Sequence, residues 1–152
     1  MSSSLTGAER LRQKIIAFSL EENSQLPWKH LKYITPNDFK NPAKQHPIWL
    51  LYLDNLRWEA TRLAGRNIKV IITSDFRPGD KKTHGTDPCV GSDVRVKTSG
   101  DRYFLLWAAF NLGIKRIGLY CDDLHLHFDI GDLIYGGKWP TEVAWVRECD
   151  DA

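Results

Sequence analysis

The eight residues Asp122-Asp123-Leu124-His125-Leu126-His127-Phe128-Asp129 constrain the fold more than any other stretch. They hold two of the chain's five histidines and three carboxylates among alternating apolar side chains. A period of two is the pattern of a β-strand, whose successive side chains point to opposite faces of a sheet. Asp123, His125, His127 and Asp129 then share one face, and Leu124, Leu126, Phe128 and Ile130 the other. A strand divided in this way has one face for a core and one for chemistry or water. The polar face admits three readings at this point: a metal site, an acid-base pair, or the hydrated side of an ordinary strand.

Elements able to build the matching core are readable along the chain. Thr6 is placed to cap a helix over about residues 8 to 20, with Leu11, Ile15, Ile16 and Phe18 at helical spacing. Residues 22 to 45, broken by Pro27, Pro36 and Pro42, read as a long connection, and His30 and His46 as surface or core histidines. Pro47 opens a helix to about Ala64, with Ile48, Leu51, Tyr52, Leu56 and Leu63 on its buried side and Gly65 as its stop. A β-branched strand over 67 to 74 is followed by a Pro-Gly turn, an irregular segment over 81 to 92 and an alternating strand over 93 to 97. Ser99 or Asp101 caps a helix to about Leu112, whose buried stripe is Tyr103, Leu106, Trp107 and Phe110. Residues 115 to 120 form a strand that pairs with the opening stretch as an antiparallel hairpin, and residues 141 to 147 a short strand or terminal helix. The expected architecture is α+β, one domain over residues 1 to 152 with 1 to 6 frayed. An antiparallel sheet carries the polar site on one face, and the three helices pack on the other.

The bulk of the chain agrees with a single self-sufficient core. Its 152 residues suit one domain, and 42% apolar residues with six tryptophans fill a core without staples. A net charge of +2, with basic residues scattered among acids, gives no reason to expect nucleic acid as a partner. Cys89, Cys121 and Cys149 are odd in number, widely spaced and without a Cys-x-x-Cys pair. That argues against a disulfide framework and for a reducing compartment at synthesis. The first residues lack a basic segment followed by an apolar one, and no run approaches the roughly 20 apolar residues of a membrane span. The expectation is a cytoplasmic product without membrane insertion, which reaches a target outside the cell only if another protein releases it. Nothing in the pattern selects an oligomeric state.

Polar residues near strand ends assemble a candidate site from Ser74, Arg77, His84, Asp93, Asp123, His125, His127 and Asp129. A catalytic zinc takes three imidazole or carboxylate ligands and keeps a fourth position for water. The water needs a carboxylate to accept its proton, and the oxygen under attack needs a positive group. Over about residues 67 to 131 the chain resembles a known family, the zinc peptidases of the D-alanyl-D-alanine carboxypeptidase and hedgehog-like group. Ile72-Thr73-Ser74-Asp75-Phe76-Arg77-Pro78 is similar to that family's strand ending in Ser-Gly-Tyr-Arg-Ser. His84 followed by Gly91-Ser92-Asp93-Val94 is similar to its His…Gly-x-Ala-x-Asp-Ile pair. Gly118-Leu119-Tyr120 with Leu126-His127-Phe128-Asp129-Ile130-Gly131 is similar to its Gly-Ile-Gly-x-Tyr…Val-His-Ile-Asp-Val segment. The resemblance implies a hedgehog-like or DD-peptidase-like fold, a Zn2+ cofactor held by His84, Asp93 and His127, and Arg77 as a substrate contact. His125 matches a histidine that several members carry two residues before the third ligand. The family's general base is an acid a few residues before that ligand, and strand parity favours Asp123 over Asp122 because Asp123 shares a face with His127. Asp129 is placed to orient an imidazole from behind the metal.

One spacing departs from the pattern. The family's usual seven residues from first histidine to aspartate become nine between His84 and Asp93, with Thr86-Asp87-Pro88-Cys89-Val90 carrying the excess. Asp87 and Cys89 are therefore alternative ligands. The function the resemblance implies is that of a zinc metallopeptidase hydrolysing a peptide bond in bacterial peptidoglycan. It would act on the stem peptide, as a D-Ala-D-Ala carboxypeptidase or an L-Ala-D-Glu endopeptidase, in the manner of a bacteriophage endolysin. Two rivals stand beside it: a catalytically inactive metal-binding or cell-wall-binding phage protein of the same fold, and a metal-free structural component of a phage particle.

Overall fold

Three helices begin where the local chemistry stops their first N–H groups from going unpaired. Thr6 caps α1 (Gly7–Ser19): its hydroxyl accepts from the Glu9 N–H while the Glu9 carboxylate accepts from the Thr6 N–H. Pro47 opens α2 (Pro47–Ala64), and Gly65 ends it at φ 67°, a left-handed conformation that glycine adopts at little cost. α3 (Ser99–Asn111) is capped by Thr98, whose hydroxyl accepts from the Asp101 N–H, rather than by Ser99 or Asp101. The computed structural model describes residues 5–21, 26–121 and 124–147.

α2 is the central element. Trp49, Leu50, Leu51, Leu53, Leu56 and Ala60 are all buried, so the helix is covered on more than the single side expected of it. Of the predicted stripe, Leu51 and Leu56 are fully buried, and Ile48, Tyr52 and Leu63 pack at the margin. α3 presents a different face from the predicted one. Leu105, Ala108 and Ala109 are buried, Leu106 is partly so, and Tyr103, Trp107 and Phe110 are exposed. The small side chains at 108 and 109 suit a close approach of α2, and the aromatics occupy the outer side.

The sheet holds β1 (Ile71–Ser74), β2 (Gly91–Arg95), β3 (Arg116–Tyr120), β4 (His125–Asp129) and β5 (Val143–Arg147), in the order β1-β2-β4-β3-β5. The first three pairings are antiparallel, as expected, but β5 runs parallel to β3. The sheet is therefore mixed. After β4 the chain crosses through α4 (Gly131–Tyr135) and a 3-10 turn (Gly136–Lys138), and such a crossover returns the chain parallel to a strand where a tight hairpin cannot. β1 is shorter than the strand predicted over 67 to 74, and β2 begins two residues before the predicted 93. Val94, Ile117, Leu126 and Phe128 supply the buried side of the three middle strands.

Two buried carboxylates hold the long connection before α2. Asp54 accepts the N–H groups of Lys32, Tyr33 and Ile34, and Asp75 those of Lys40 and Asn41. His30 pairs with Glu21, and the His46 Nδ1 accepts from the Ile48 N–H at the start of α2, so both histidines are structural. Cys121 is disulfide-bonded while Cys89 is free and buried; Cys149 lies outside the described residues. The spacing argues against a disulfide framework, yet Cys121 is paired, since pairing depends on proximity in the fold and not on spacing in the chain. Among the described residues no helix is long and apolar enough to cross a membrane.

Candidate metal centre

Cross-strand register assembles the site on the face of the sheet away from the helices. Asp93 of β2 stands directly opposite His127 of β4, which stands opposite Gly118 of β3. A 3-10 turn over Thr83–Gly85 delivers His84 to the same point. His84 Nε2 lies 3.2 Å from His127 Nδ1 and 3.3 Å from Asp93 Oδ1, and His127 Nδ1 lies 3.0 Å from the same oxygen. For ligand bonds of about 2.0–2.1 Å, the edges of a tetrahedral metal site measure about 3.3 Å. The three atoms form one face of such a tetrahedron, and the buried His84-Asp93-His127 triad can hold a metal ion.

The hydrogen bonds behind the triad fix which ring nitrogens face inward. The carbonyl of Asp75 can only accept, so His84 Nδ1, 2.7 Å away, carries the proton and leaves Nε2 with a free lone pair. His127 Nε2 donates in the same way to Asp129 Oδ2 at 2.6 Å, which turns the Nδ1 lone pair towards Asp93. Three lone-pair atoms then converge with no proton between them, an arrangement that calls for a cation. A proton on Nδ1 can supply that positive charge in competition with a metal: burial works against charge on His127, yet hydrogen bonds to Asp129 and Asp93 outweigh it and raise its pKa. Burial likewise opposes the Asp93 carboxylate, but His127 and His84 hold it well below the usual carboxylate range.

Asp129 is the hub of this outer layer. It is fully buried, receives Arg116 Nε at 2.7 Å and the Gly131 N–H at 2.9 Å, and is reached by the Thr83 hydroxyl at 3.3 Å. Gly91 makes this possible: a Cβ there would fall 2.7 Å from the Asp129 Cβ across the strand pair. Gly118 leaves space in the same way on β3. A Cβ on it would sit 2.6 to 2.8 Å from the Trp145 ring, and without one the indole crosses β3 to lie against the His127 imidazole, ring centres 5.1 Å apart. Trp139 and Trp145 both contact the Arg116 guanidinium, with ring centres 5.4 and 5.9 Å away. Arg116 and Trp145 were not singled out by sequence. The signal available was Arg116 facing Asp129 in the hairpin register; for Trp145, on a strand added from beyond α4, there was none.

The opposite side of the triad is open. Arg77 follows the Ser74 bulge, its N–H donates to the His84 carbonyl, and its half-exposed guanidinium reaches Asp80 at 3.5 Å and Asp93 Oδ2 at 3.8 Å. The Tyr120 hydroxyl donates to Asp93 Oδ1 at 3.2 Å, and burial together with that carboxylate pushes its pKa up to about 12. His125 lies on the same face as His127, half-buried and opposite Arg95. Asp123, the expected base, and its neighbour Asp122 lie outside the described residues. No family model, curated protein or solved structure matches the chain.

The two alternative ligands are placed elsewhere. Asp87 is exposed and pairs with Lys44 at 3.0 Å. The Cys89 thiol is buried between the carbonyls of Thr83 and Gly91, and burial pushes its pKa up to about 11, far from the thiolate a metal needs. The extra residues between His84 and Asp93 therefore lie in the connection and leave both ligand atoms at the centre.

Proposed function

We propose that the chain is a zinc-dependent peptidase that hydrolyses a peptide bond in the stem peptide of bacterial peptidoglycan. The observation that carries this reading is the convergence of His84 Nε2, Asp93 Oδ1 and His127 Nδ1 at 3.0 to 3.3 Å, with the outward nitrogens of both rings already committed. Two imidazoles and one carboxylate suit zinc and leave a coordination position for chemistry. When bound, the metal supplies Lewis acidity: it polarises a carbonyl and makes water nucleophilic at neutral pH. Asp129 and the Asp75 carbonyl hold the two rings in the required tautomers. Arg77, beside Asp93 and half-exposed, meets a substrate carbonyl or carboxylate as negative charge develops. Asp123 is assigned the proton transfer by the family resemblance, which places an acid a few residues before the third ligand, and His125 shares the face of His127. The restriction to peptidoglycan rests on the family resemblance of residues 67 to 131.

A second reading, metal binding without catalysis, draws on one observation. Among the described residues, the other carboxylates around the triad are engaged: Asp75 by backbone N–H groups, Asp80 by Arg77 and the Lys82 N–H, and Asp129 by Arg116. Proton transfer then depends on Asp123 or His125. Mass spectrometry of muropeptides after incubation with the zinc-loaded protein separates the readings. The peptidase reading expects one defined cleaved bond, lost in His84→Ala and Asp93→Ala and depressed in Asp123→Asn. Intact muropeptides alongside stoichiometric zinc would select the inactive metal-binding protein, and protein without zinc would sink both.

A further inference from the structure

The register that builds the triad continues past it on the open side. Arg95 of β2 faces His125 of β4, and Ile71 of β1 faces Arg95. This row lies two residues along each strand from the Asp93–His127 pair, a step of about 7 Å at the rise of a β-strand. Beside it is a pocket of about 460 Å³ lined by Ile71, Arg95, Val96, Lys97 and Leu124. Arg95 is exposed and shares the strand parity of Asp93, so its side chain belongs to the face that carries the triad, and Lys97, also exposed, follows in the bend just beyond β2 and lines the same pocket. Among the described residues neither meets a carboxylate, whereas Arg62, Arg66, Arg77 and Arg116 each do. Ile71 and Leu124 give the pocket apolar walls. Leu124 holds a left-handed backbone at φ 62°, costly for leucine, and its carbonyl accepts from the Val96 N–H.

Two cations that meet no carboxylate among the described residues, set over aliphatic walls beside the candidate metal centre, match an acidic group on a chain that lies along the sheet. A guanidinium binds a carboxylate through two parallel hydrogen bonds, and a nearby ammonium adds to the attraction. An extended peptide advances about 3.3–3.6 Å per residue, so a 7 Å step spans about two residues, and the long Arg95 side chain can reach back over that distance to an acidic group on a residue flanking the bond at the triad. We propose that this pocket is a carboxylate-binding subsite, in which Arg95 with Lys97 holds an acidic group of the peptide whose reacting bond lies at the triad. The inference rests on the peptidase reading and narrows its substrates to those acidic next to the cleaved bond. The carboxylate has two sources, an acidic side chain or the C-terminus of the peptide.

Binding tests it without turnover. The intact zinc-loaded protein is titrated, with the backbone N–H resonances of Val94 and Val96 followed by NMR, against four probes: N-acetyl-Ala-Glu, its C-terminal amide, N-acetyl-Ala-Gln, and the amide of the latter. At least one probe carrying a carboxylate should bind about tenfold more tightly than the doubly neutral one. Loss of the preference on amidation identifies the terminus, and loss on Glu→Gln the side chain. Arg95→Gln should erase the preference while zinc affinity and the circular dichroism spectrum stay unchanged; Arg95→Lys should retain some of it. Equal affinity for all four probes, no binding of any, or a preference that survives the double substitution Arg95→Gln and Lys97→Gln overturns the subsite. Because no bond need be cleaved, absence of muropeptide hydrolysis counts against the peptidase reading and leaves this result readable.

Discussion

The two flanks of the triad are built on opposite principles. On one side Asp129 and Arg116 form an ion pair whose side chains are 0% and 10% exposed, roofed by Trp139 and Trp145. On the other, Arg77 is 52% exposed and its nearest carboxylate oxygens are 3.5 and 3.8 Å away. Exclusion of water strengthens the first set of interactions and locks ring orientation. Exposure leaves the second set weak, hydrated and free to exchange partners. The difference assigns the dry flank to holding the ligands and the wet flank to meeting whatever approaches them.

The sharpest test of that division is removal of a ligand. His127→Ala should cut bound zinc from near one equivalent to less than about a tenth, measured by elemental analysis of protein prepared without chelator. Asp129 comes next, because it touches no metal. Asp129→Asn should weaken zinc binding by about 10- to 100-fold in a chelator competition, since the outer partner of a ligating histidine contributes on that scale. Asp129→Ala should also lower stability by about 3–5 kcal/mol in urea denaturation, because it leaves the Arg116 guanidinium buried without its counter-charge. Arg77→Ala should do neither: zinc affinity and the urea midpoint should hold, while KM for a cleaved muropeptide rises by about tenfold. A fall in zinc affinity for Arg77→Ala comparable to that of Asp129→Asn would break the contrast between the flanks.

How far this arrangement could be read from the sequence depends on the range of the interaction. The face shared by His125, His127 and Asp129 follows from strand parity, and the helices of residues 7 to 19 and 47 to 64 from caps and periodicity, all local signals. The α+β class follows in turn. The side of α3 that is buried was not legible: three aromatics at helical spacing suggest a core stripe, but the helix turns Leu105, Ala108 and Ala109 inward where α2 approaches. The parallel strand β5 was equally hidden, because its partner is chosen by the path through α4 and not by its own pattern. With β5 went Trp145, and with Trp145 the reason for glycine at 118. Asp123, the role most dependent on parity, lies outside the described residues.

The Trp145–Gly118 pair offers the finest probe of the dry flank. If the indole acts by lying against His127 and closing the Arg116–Asp129 pair to water, Trp145→Ala should weaken zinc binding by only a few-fold, because the hydrogen bonds themselves survive. Gly118→Ala should produce a similar loss by a different route, since its new methyl group occupies the space of the ring and forces the indole aside. The two substitutions then remove one interaction, not two. In a double-mutant cycle read by chelator competition, Gly118→Ala should cost little once Trp145 is already alanine, because no ring remains to be displaced. Strictly additive losses would mean that Trp145 and Gly118 act independently, and the roof over His127 would then be packing alone.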